Sequence, residues 1–286
     1  MTQKLSHNRQ KKIAVIEDIA GFGRCSMTVA LPVISAMQVQ CCIVPTAIFS
    51  NHTAFPQYFF DDYTERMPAY IDKWKTLDLE FEGIYSGFLG SERQIEIVAG
   101  FIDDFRTERT QVVIDPVMGD NGRAYATCTP ALCARMRELL GRADILTPNL
   151  TEACILTETV YRPSGWKKAE IVELAQKLSA MGPGKVVITG IRQGEYIANF
   201  VYDRGENLRF LRTQRVGTER CGTGDLFASI IAADAVNGVP FADSVKKASQ
   251  FVRRCILRSI EMEIPVTDGV CFEEYLYLLH DRRKEK

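Results

Sequence analysis

The fold is decided by the stretch at residues 13–45, which is IAVIEDIAGFGRCSMTVALPVISAMQVQCCIVP. Residues 13–16 form a continuous apolar run that predicts a buried strand, and residues 41–45 form a second one. Between them, residues 27–37 carry apolar side chains at helical spacing. Strands without polar alternation are typical of a parallel sheet that is covered by helices on both faces. The stretch therefore predicts a strand, a helix and a strand of such a sheet.

The same alternation continues along the chain. Further strands are predicted at residues 83–85, 112–115, 144–146 and 185–189. Further helices are predicted at residues 63–74, 94–105, 131–140, 169–180, 225–235, 242–256 and 272–279. Residues 196–213 change to two strands around Asp203-Arg204-Gly205-Glu206-Asn207, a hairpin signal. The sum predicts one α/β domain over residues 1–286, a three-layer α/β/α fold with a mostly parallel central sheet, in which residues 1–12 are a flexible tail.

Composition excludes several classes of function. The chain has 286 residues, 46% of them apolar and 25% charged, and a formal net charge of −1. Nucleic-acid binders normally carry a basic excess, and a membrane span needs about 20 consecutive apolar residues, so we expect neither kind of partner. The nine cysteines include no CxxC pair, which argues against a zinc or a dithiol redox site. Reduced thiols and a polar N-terminus without a signal peptide predict a cytoplasmic protein.

A glycine-rich turn carries the clearest chemical signal. It runs through Arg220-Cys221-Gly222-Thr223-Gly224-Asp225-Leu226-Phe227 and opens directly into an apolar helix. Glycines let backbone N–H groups converge, and a helix start adds partial positive charge, so the turn is suited to bind an anion. A carboxylate at this place is explained if Asp225 takes a proton from a hydroxyl that attacks a phosphate. The alternative is an ordinary helix N-cap after a glycine turn.

Two polar segments follow predicted strands. One is Asp115-Pro116-Val117-Met118-Gly119-Asp120-Asn121-Gly122, and the other is Thr147-Pro148-Asn149-Leu150-Thr151-Glu152. Carboxylates and an amide at strand ends can hold a hydrated Mg²⁺ beside ATP phosphates. Turn and helix-capping chemistry is the alternative for each segment. Neither a P-loop nor a complete dinucleotide-binding fingerprint occurs in the sequence.

A third segment, Phe49-Ser50-Asn51-His52-Thr53, follows the strand predicted to end at Pro45. Its mixture of polar and aromatic side chains is poorly explained by a core. We interpret it as a loop that could stack on a flat heterocycle and hydrogen-bond to it, and the alternative is an ordinary surface loop.

In this order the motifs resemble those of the ribokinase-type kinases and, within them, the pyridoxal (vitamin B6) kinases. Residues 49–53 come first, followed by Ser-Gly-Phe at 86–88, Asp-Pro-Val-Met-Gly-Asp, Thr-Pro-Asn-x-x-Glu, Val-Ile-Thr at 187–189 and Gly-Thr-Gly-Asp. The resemblance runs from about residue 12 to the last predicted helix. Gly-Thr-Gly-Asp is specific to the broad superfamily, whereas residues 49–53 together with Asp-Pro-Val-Met-Gly-Asp are more specific to the vitamin B6 branch.

The resemblance implies ATP-dependent phosphorylation of the 5′-hydroxymethyl group of pyridoxal, pyridoxine or pyridoxamine. It implies that Asp225 is the catalytic base and that the N–H groups of Gly222, Thr223 and Gly224 stabilise the transferring phosphoryl group. The implied ATP-binding residues are Asp115, Asp120, Tyr125, Thr147, Asn149, Glu152, Thr189 and Gly190, with Asp115 and Glu152 on Mg²⁺. The implied substrate-binding residues are Asp18, Gly23, Ala47, Phe49, Thr53, Phe88 and Cys221. The family also implies a homodimer and the use of K⁺.

The sequence departs from the pattern of pyridoxal kinases at two places, and the role of Cys221 is open. Asp18-Ile19 stands where many of these enzymes have Ser-His, and a carboxylate there resembles the hydroxymethylpyrimidine kinases. Phe88 stands where Tyr is frequent. Cys221 could add to the aldehyde of the substrate, or it could be a small residue that packs the turn.

Three classes of function are therefore open. The first is a B6-vitamer kinase. The second is a hydroxymethylpyrimidine kinase or a sugar or nucleoside kinase of the same fold, although residues 51–53 argue against a sugar. The third is a non-catalytic B6-binding protein, against which the intact Asp225 and its glycine turn argue, because binding alone needs no base.

Overall fold

The computed structural model describes residues 7–204 and 208–280. Its strands are β1 (Lys12–Phe22), β2 (Gln40–Asn51), β3 (Phe60–Asp62), β4 (Gly83–Ser86), β5 (Gln111–Ile114), β6 (Gly119–Asp120), β7 (Arg123–Ala124), β8 (Ile145–Leu146), β9 (Lys185–Gln193), β10 (Tyr196–Asp203) and β11 (Arg209–Gln214). Its helices are α1 (Met27–Ala36), α2 (Met67–Lys75), α3 (Glu92–Phe105), α4 (Pro130–Leu140), α5 (Leu150–Leu156), α6 (Lys168–Ala180), α7 (Thr223–Asn237) and α8 (Phe241–Glu261). No helix among the described residues has the length and apolarity that crossing a bilayer requires.

The central sheet has nine strands in the order β11-β10-β9-β8-β5-β4-β1-β2-β3. The six strands from β9 to β2 in this order are mutually parallel. Antiparallel strands occupy both edges, because β3 pairs with β2 while β10 and β11 form a hairpin beside β9. Strands β6 and β7 form a separate small ribbon. The prediction of a mostly parallel sheet is thus confirmed.

Two apolar layers cover the sheet, and β1 shows how one strand serves both. Ala14 and Ile16 pack in the core shared with α2 to α6, whereas Ile13 and Val15 pack in the core shared with α1, α7 and α8. All four side chains are fully buried. Successive side chains of a strand point to opposite faces, so an unbroken apolar run is what a doubly covered strand requires. The three-layer α/β/α prediction is confirmed.

The structure corrects the sequence prediction of secondary structure in two places. Residues 49–51 were predicted to be a loop, but they continue β2, because β3 pairs antiparallel with them and Phe49 lies opposite Phe60. The last predicted helix, residues 272–279, is a 3-10 helix over Glu273–Leu279 instead.

Two predictions touch residues outside the described ranges. The hairpin of β10 and β11 is confirmed, while residues 205–207 of its turn lie outside the described part of the chain. Residues 1–6 of the predicted tail also lie outside it, and β1 begins at Lys12.

Phe101 offers a test of the core that α3 builds against the sheet. Its ring is 1% exposed and lies 4.5 Å from the ring of Phe105 and 6.1 Å from that of Phe81. We expect Phe101→Ala to lower the free energy of unfolding by about 3–5 kcal/mol, because it removes buried apolar surface and leaves a cavity. Leu77→Ala, at a side chain that is 45% exposed, should cost less than about 1 kcal/mol. Urea denaturation measures both, and equal losses would contradict this account of the core.

Candidate active site

The residues singled out from the sequence meet at the carboxyl ends of the parallel strands. Beyond β4 and β5, the amide N–H of Asp115 donates to the carbonyl oxygen of Ser86 at 2.9 Å. Beyond β8, the hydroxyl of Thr147 donates to Oδ1 of Asp115 at 2.9 Å. Pro148 also follows β8, and its carbonyl oxygen accepts from the N–H of Thr189 on β9 at 2.9 Å. This edge is where open α/β sheets bind ligands.

The glycine turn before α7 approaches the loop after β1 very closely. Gly222 is the N-cap of α7 and has a φ of 82°, in the left-handed region. A Cβ at Gly222 would overlap the carbonyl oxygen of Arg24, whereas a Cβ at Gly224 would meet nothing within 4 Å. The turn therefore presents Gly224 to open space, and the first N–H groups of α7 lie at the sheet edge, where a helix attracts anions.

Asp225 lies in the first turn of α7, and the backbone of Ser26 holds it. The N–H of Ser26 donates to Oδ2 of Asp225 at 2.7 Å. The hydroxyl of Ser26 donates to Oδ1 of Asp18 at 2.7 Å, so one residue joins the predicted base to the predicted substrate-facing carboxylate. The sequence analysis missed Ser26. Ser26 precedes α1, and its side chain makes no cap hydrogen bond to that helix.

The carboxyl groups at this edge are buried close together, and their pKa values respond. Burial raises the pKa of Asp225, while the Ser26 N–H opposes the rise. Burial raises the pKa of Asp18 to about 6 against the hydrogen bond from Ser26. Burial, followed by the charge of Asp225, raises the pKa of Asp115 to about 7. Desolvation therefore favours proton uptake here, which is the property that a general base needs near neutral pH.

Glu17 is a fourth carboxyl group at the same place, and the sequence analysis did not select it. Its side chain has no exposed surface, and its pKa is raised well above the ordinary value, first by burial and then by the charge of Asp225. The only signal in the sequence was a charged residue at the end of the apolar run of β1.

On the side predicted to bind ATP, Asn149 and Glu152 form a capping box at the start of α5. The N–H of Asn149 donates to Oε2 of Glu152 at 2.8 Å, and the N–H of Glu152 donates to Oδ1 of Asn149 at 3.0 Å. Glu152 also accepts from the N–H of Met118 at 3.2 Å, and the amide of Asn149 donates to the carbonyl oxygen of Gly119 at 2.8 Å. The helix-capping alternative of the sequence analysis is thus confirmed for this segment, and the same two side chains tie α5 to the segment after β5.

Asp115 and Glu152 have the character of a site for a hydrated divalent cation. Glu152 is buried, and its pKa is raised well above its usual value by burial and then by the charge of Asp115. A divalent cation between the two would relieve this repulsion, and Mg²⁺ commonly takes one or two carboxylates and keeps several waters. No group of three or more His, Cys, Asp or Glu side chains in residues 7–204 and 208–280 could form an all-protein metal cage. The donor set therefore fits Mg²⁺ and does not suit a closed structural metal site.

The residues predicted to contact the substrate are only partly brought together. Ala47 and Phe49 are buried in one small apolar cluster, against which Cys221 packs. Phe88 is half-buried near them, and the Thr46 hydroxyl donates to its carbonyl oxygen at 3.3 Å. Thr53 is exposed.

His52, rather than Thr53, turns inward. Its Nε2 lies 2.6 Å from the carbonyl oxygen of Thr267, and a Cβ at Gly23 would overlap its ring. Positive charge on His52 would lower the pKa of Asp225, so the two side chains are neighbours. The sequence could not single out His52, because its inward direction depends on Gly23 and Thr267, which are distant from it in the chain.

An ionic network at the rim of the ATP side was also missed. Arg192 donates to Glu219 at 2.7 Å and to Oδ1 of Asn121 at 3.0 Å, and the amide of Asn121 donates to Glu219 at 2.6 Å. It joins the β6–β7 ribbon, the β9–β10 hairpin and the segment before α7. Asp120 lies within this rim, where burial raises its pKa. The other predicted residues of the rim, Tyr125 and Gly190, are exposed.

Comparison with known proteins points to one family of enzymes. The sequence profile of the phosphomethylpyrimidine kinase family matches residues 28–267. A pyridoxine/pyridoxal/pyridoxamine kinase of Bordetella avium is 29% identical over 245 residues, which cover 81% of this chain and 79% of the relative. A hydroxymethylpyrimidine/phosphomethylpyrimidine kinase of Rhizobium meliloti is 28% identical over 256 residues, which cover 88% and 93%. Relatives of the two kinds are thus equally similar to this chain.

Solved structures give the same result. A Bacteroides thetaiotaomicron protein, provisionally assigned as a phosphomethylpyrimidine kinase and crystallised with pyridoxal, superposes with a TM-score of 0.90 at 37% identity, covering 95% of this chain and 96% of the other. The pyridoxal kinase of Lactobacillus plantarum superposes with a TM-score of 0.87 at 26% identity, covering 94% and 96%.

Gly222 and Gly224 form a matched pair for testing the turn. We expect Gly222→Ala to lower the free energy of unfolding by about 2 kcal/mol or more, because the left-handed φ and the overlap with Arg24 both oppose a side chain. Gly224→Ala should leave stability unchanged or raise it by up to about 1 kcal/mol, since it lies in the helix facing open space. Urea denaturation of both variants decides, and two equally stable variants would show that the turn does not need its first glycine.

Proposed function

The chain belongs to the phosphomethylpyrimidine kinase family and has the ribokinase-like fold, and from this premise we propose that it transfers the terminal phosphate of ATP to the 5′-hydroxymethyl group of a B6 vitamer, namely pyridoxal, pyridoxine or pyridoxamine. The observation that carries the proposal is the position of Asp225. A partly exposed carboxylate stands in the first turn of α7, beside a glycine turn and fixed by the Ser26 amide.

The proposed chemistry assigns a task to each group of this turn. Asp225 accepts the proton of the hydroxymethyl group as its oxygen attacks the terminal phosphorus. The N–H groups of Gly222, Thr223 and Gly224 donate to the phosphoryl oxygens, where negative charge develops in the transition state. Because the Ser26 N–H occupies Oδ2 of Asp225, the orientation of the base is set before the substrate arrives. The raised pKa of Asp225 makes it a stronger base than an exposed aspartate.

We assign the nucleotide to the neighbouring strand ends. Asp115 and Glu152 would hold Mg²⁺, which supplies positive charge to the phosphates when bound. The proposed ATP contacts are Asp115, Asp120, Tyr125, Thr147, Asn149, Glu152, Thr189 and Gly190. Related structures that contain ADP support the use of ATP by this fold, as in the pyridoxal kinase of Leishmania donovani. A requirement for K⁺, a homodimeric state and a cytoplasmic location are further parts of the proposal, taken from the family resemblance and the cysteine usage.

A B6 vitamer is favoured as the substrate by the relative of known structure that binds pyridoxal. That protein is 37% identical to this chain over 95% of this chain and 96% of its own length. The half-buried side chains of Cys221 and Phe88, beside the buried cluster of Ala47 and Phe49, give this sheet edge apolar groups that a flat ring could contact. The proposed substrate contacts are Asp18, Gly23, Ala47, Phe49, Thr53, Phe88 and Cys221.

Asp18 favours a second candidate function, the phosphorylation of hydroxymethylpyrimidine. Asp18 is 5% exposed, and Ser26 holds one of its oxygens, so the carboxylate is an oriented acceptor. An amino group on a pyrimidine ring donates hydrogen bonds to such an acceptor, whereas the phenolate of a B6 vitamer would be repelled by it. A non-catalytic binding protein is the least supported function, because binding has no use for a desolvated base at the head of α7.

A side-by-side kinase assay tests the proposed function. We expect ATP-dependent turnover of pyridoxal, pyridoxine or pyridoxamine, and a loss of kcat of about 10²- to 10⁴-fold in Asp225→Asn, because an amide cannot accept the proton. Asp243→Asn is the matched control, since Asp243 also lies in the first turn of a helix, α8, but is exposed. Ligand binding without turnover by the unaltered chain would refute the kinase and support a binding protein.

The ratio of kcat/KM for hydroxymethylpyrimidine to that for pyridoxal tests Asp18. We expect Asp18→Asn to lower this ratio by about 10-fold or more, the value of one hydrogen bond to a charged group. In the unaltered chain the ratio should also fall as the pH drops through about 6, where Asp18 takes up a proton. Titration of the common base Asp225 cancels in the ratio. If the ratio changes neither with the substitution nor with the pH, Asp18 does not take part in substrate recognition.

A further inference from the structure

Glu17 is a fully buried carboxyl group to which no main-chain N–H of the described residues donates. Its relative exposure is 0%, and within residues 7–204 and 208–280 neither carboxyl oxygen has a hydrogen bond of ordinary geometry. Burial of a polar group without a hydrogen bond is costly, and burial of an unpaired charge is costlier still. Such a group in a folded protein calls for a functional explanation.

The neighbouring strand makes room for Glu17. A Cβ at Gly87 would overlap Oε1 of Glu17 and lie 2.8 Å from its Cδ, so any other residue would displace the carboxyl group. Gly87 is itself fixed there, because its N–H donates to the carbonyl oxygen of Ile16 at 3.0 Å. The absence of a side chain at Gly87 therefore leaves the space that the Glu17 carboxyl group occupies.

The face of β1 on which Glu17 lies is the face covered by α7. Val15 and Ile13, two and four residues before it, pack in the core shared with that helix. Asp225 at the start of α7 is the charged group that raises the pKa of Glu17 most, after burial itself. Asp115 is more remote, since it follows β5 and β4 lies between β5 and β1. Glu17 and Asp225 thus form a pair of carboxyl groups in one desolvated space.

Two such carboxyl groups cannot both be ionised, and their surroundings decide which one keeps the proton. Asp225 has the Ser26 N–H at 2.7 Å and the positive end of α7, and both favour its ionised form. Glu17 has no comparable donor. The other titratable groups that face the pair from the elements around it are Asp18, Cys25, Cys41, Tyr85, Asp115 and Tyr125. None of these six can be positively charged, so no cation offsets a second negative charge and the pair retains a proton. Because Asp225 has the donors that favour its ionised form, the proton belongs on Glu17.

We propose that Glu17 is a positioning residue of the proposed kinase: it stays protonated and donates a hydrogen bond to Oδ1 of Asp225, which keeps the base ionised and aimed at the substrate. Oδ2 is already occupied by Ser26, and the described part of the chain gives Oδ1 no other donor. The interaction between the two side chains raises the pKa of Glu17 and lowers that of Asp225, as expected when Glu17 is the donor. The inference rests on the proposed function, because it assigns Asp225 the role of base.

Two substitutions separate a neutral donor from other roles of Glu17. Glu17→Gln keeps the shape and a neutral donor, and we expect kcat within about threefold of the unaltered chain. Glu17→Met keeps the volume without a donor, and kcat should fall about 10- to 100-fold, the worth of one hydrogen bond to a charged group, while KM for ATP stays within about threefold. Glu82→Gln, the same change just before β4 at its far end, is the matched control and should leave kcat unaltered. Equal losses in the Gln and Met variants would overturn the proposal.

The pH dependence of kcat shifts in a direction that a purely structural role of Glu17 would not produce. Loss of a neutral donor raises the pKa of Asp225, so the acidic limb of the kcat profile should move to higher pH in Glu17→Met and stay in place in Glu17→Gln. If Glu17 were ionised, Glu17→Gln would remove a neighbouring negative charge and lower the pKa of Asp225. A limb that moves to lower pH in the Gln variant would therefore refute a protonated Glu17.

Thermal unfolding tests the protonation state without any assay of activity. The folded-state pKa of Glu17 lies above its unfolded value of 4.5, so ionisation of the unfolded chain destabilises the fold as the pH rises above that value. We expect Glu17→Gln to raise Tm at pH 8 by several degrees and to leave it nearly unchanged at about pH 4.5. A Tm difference that is independent of pH would overturn the proposal. If the unaltered chain phosphorylates none of the substrates, the proposed function fails, and this comparison still decides whether Glu17 is protonated.

Discussion

The site depends on one electrostatic constraint: several carboxyl groups are buried together at the carboxyl edge of a parallel sheet. Glu17 and Asp18 lie on β1, Asp115 follows β5, which is two places away in the sheet, and Asp225 faces them from α7. Each has a pKa raised by burial, which means that the fold pays in stability for keeping negative charge there. A sheet edge this acidic is unsuited to bind a polyphosphate by itself. It becomes suitable when a divalent cation and the N–H groups at the head of α7 supply the opposite charge.

The backbone resolves much of this conflict. Ser26 satisfies one oxygen of Asp225 with its N–H and one of Asp18 with its hydroxyl. The N–H groups of Met118 and Asn149 satisfy the two oxygens of Glu152. Donors from the main chain are rigid and carry no charge, so they orient carboxylates without neutralising them. A base and a metal ligand both require a rigid orientation and a retained charge. Among the described residues, Glu17 is the carboxyl group of this edge that receives no hydrogen bond of ordinary geometry.

Much of the fold could be predicted from the sequence, because parallel strands buried on both faces leave a local signature. The apolar run of β1, the spacing of α1 and the glycine turn before α7 all act over short stretches of chain. The continuation of β2 through Asn51 could not be predicted, because it depends on pairing with β3. The 3-10 helix over Glu273–Leu279 could not be predicted either, since its apolar spacing also suits an α-helix.

The candidate site was predictable at the residues whose types are unusual for their local context, and not at those that matter through contacts distant in sequence. A carboxylate after two glycines, or a Pro-Asn followed by Glu, can be recognised in isolation. Ser26, His52 and Glu17 have ordinary local contexts, and each acquires its role from a partner in another element: Asp225 for all three. The same reasoning explains why the choice between a pyridine and a pyrimidine is so difficult. Asp18 differs from a neutral residue only when it is ionised, and the balance between its burial and its bond from Ser26 places that ionisation close to the pH of a cell. Under the proposed function, substrate choice would therefore depend on a small free-energy difference at one buried carboxyl group, which a motif comparison does not measure.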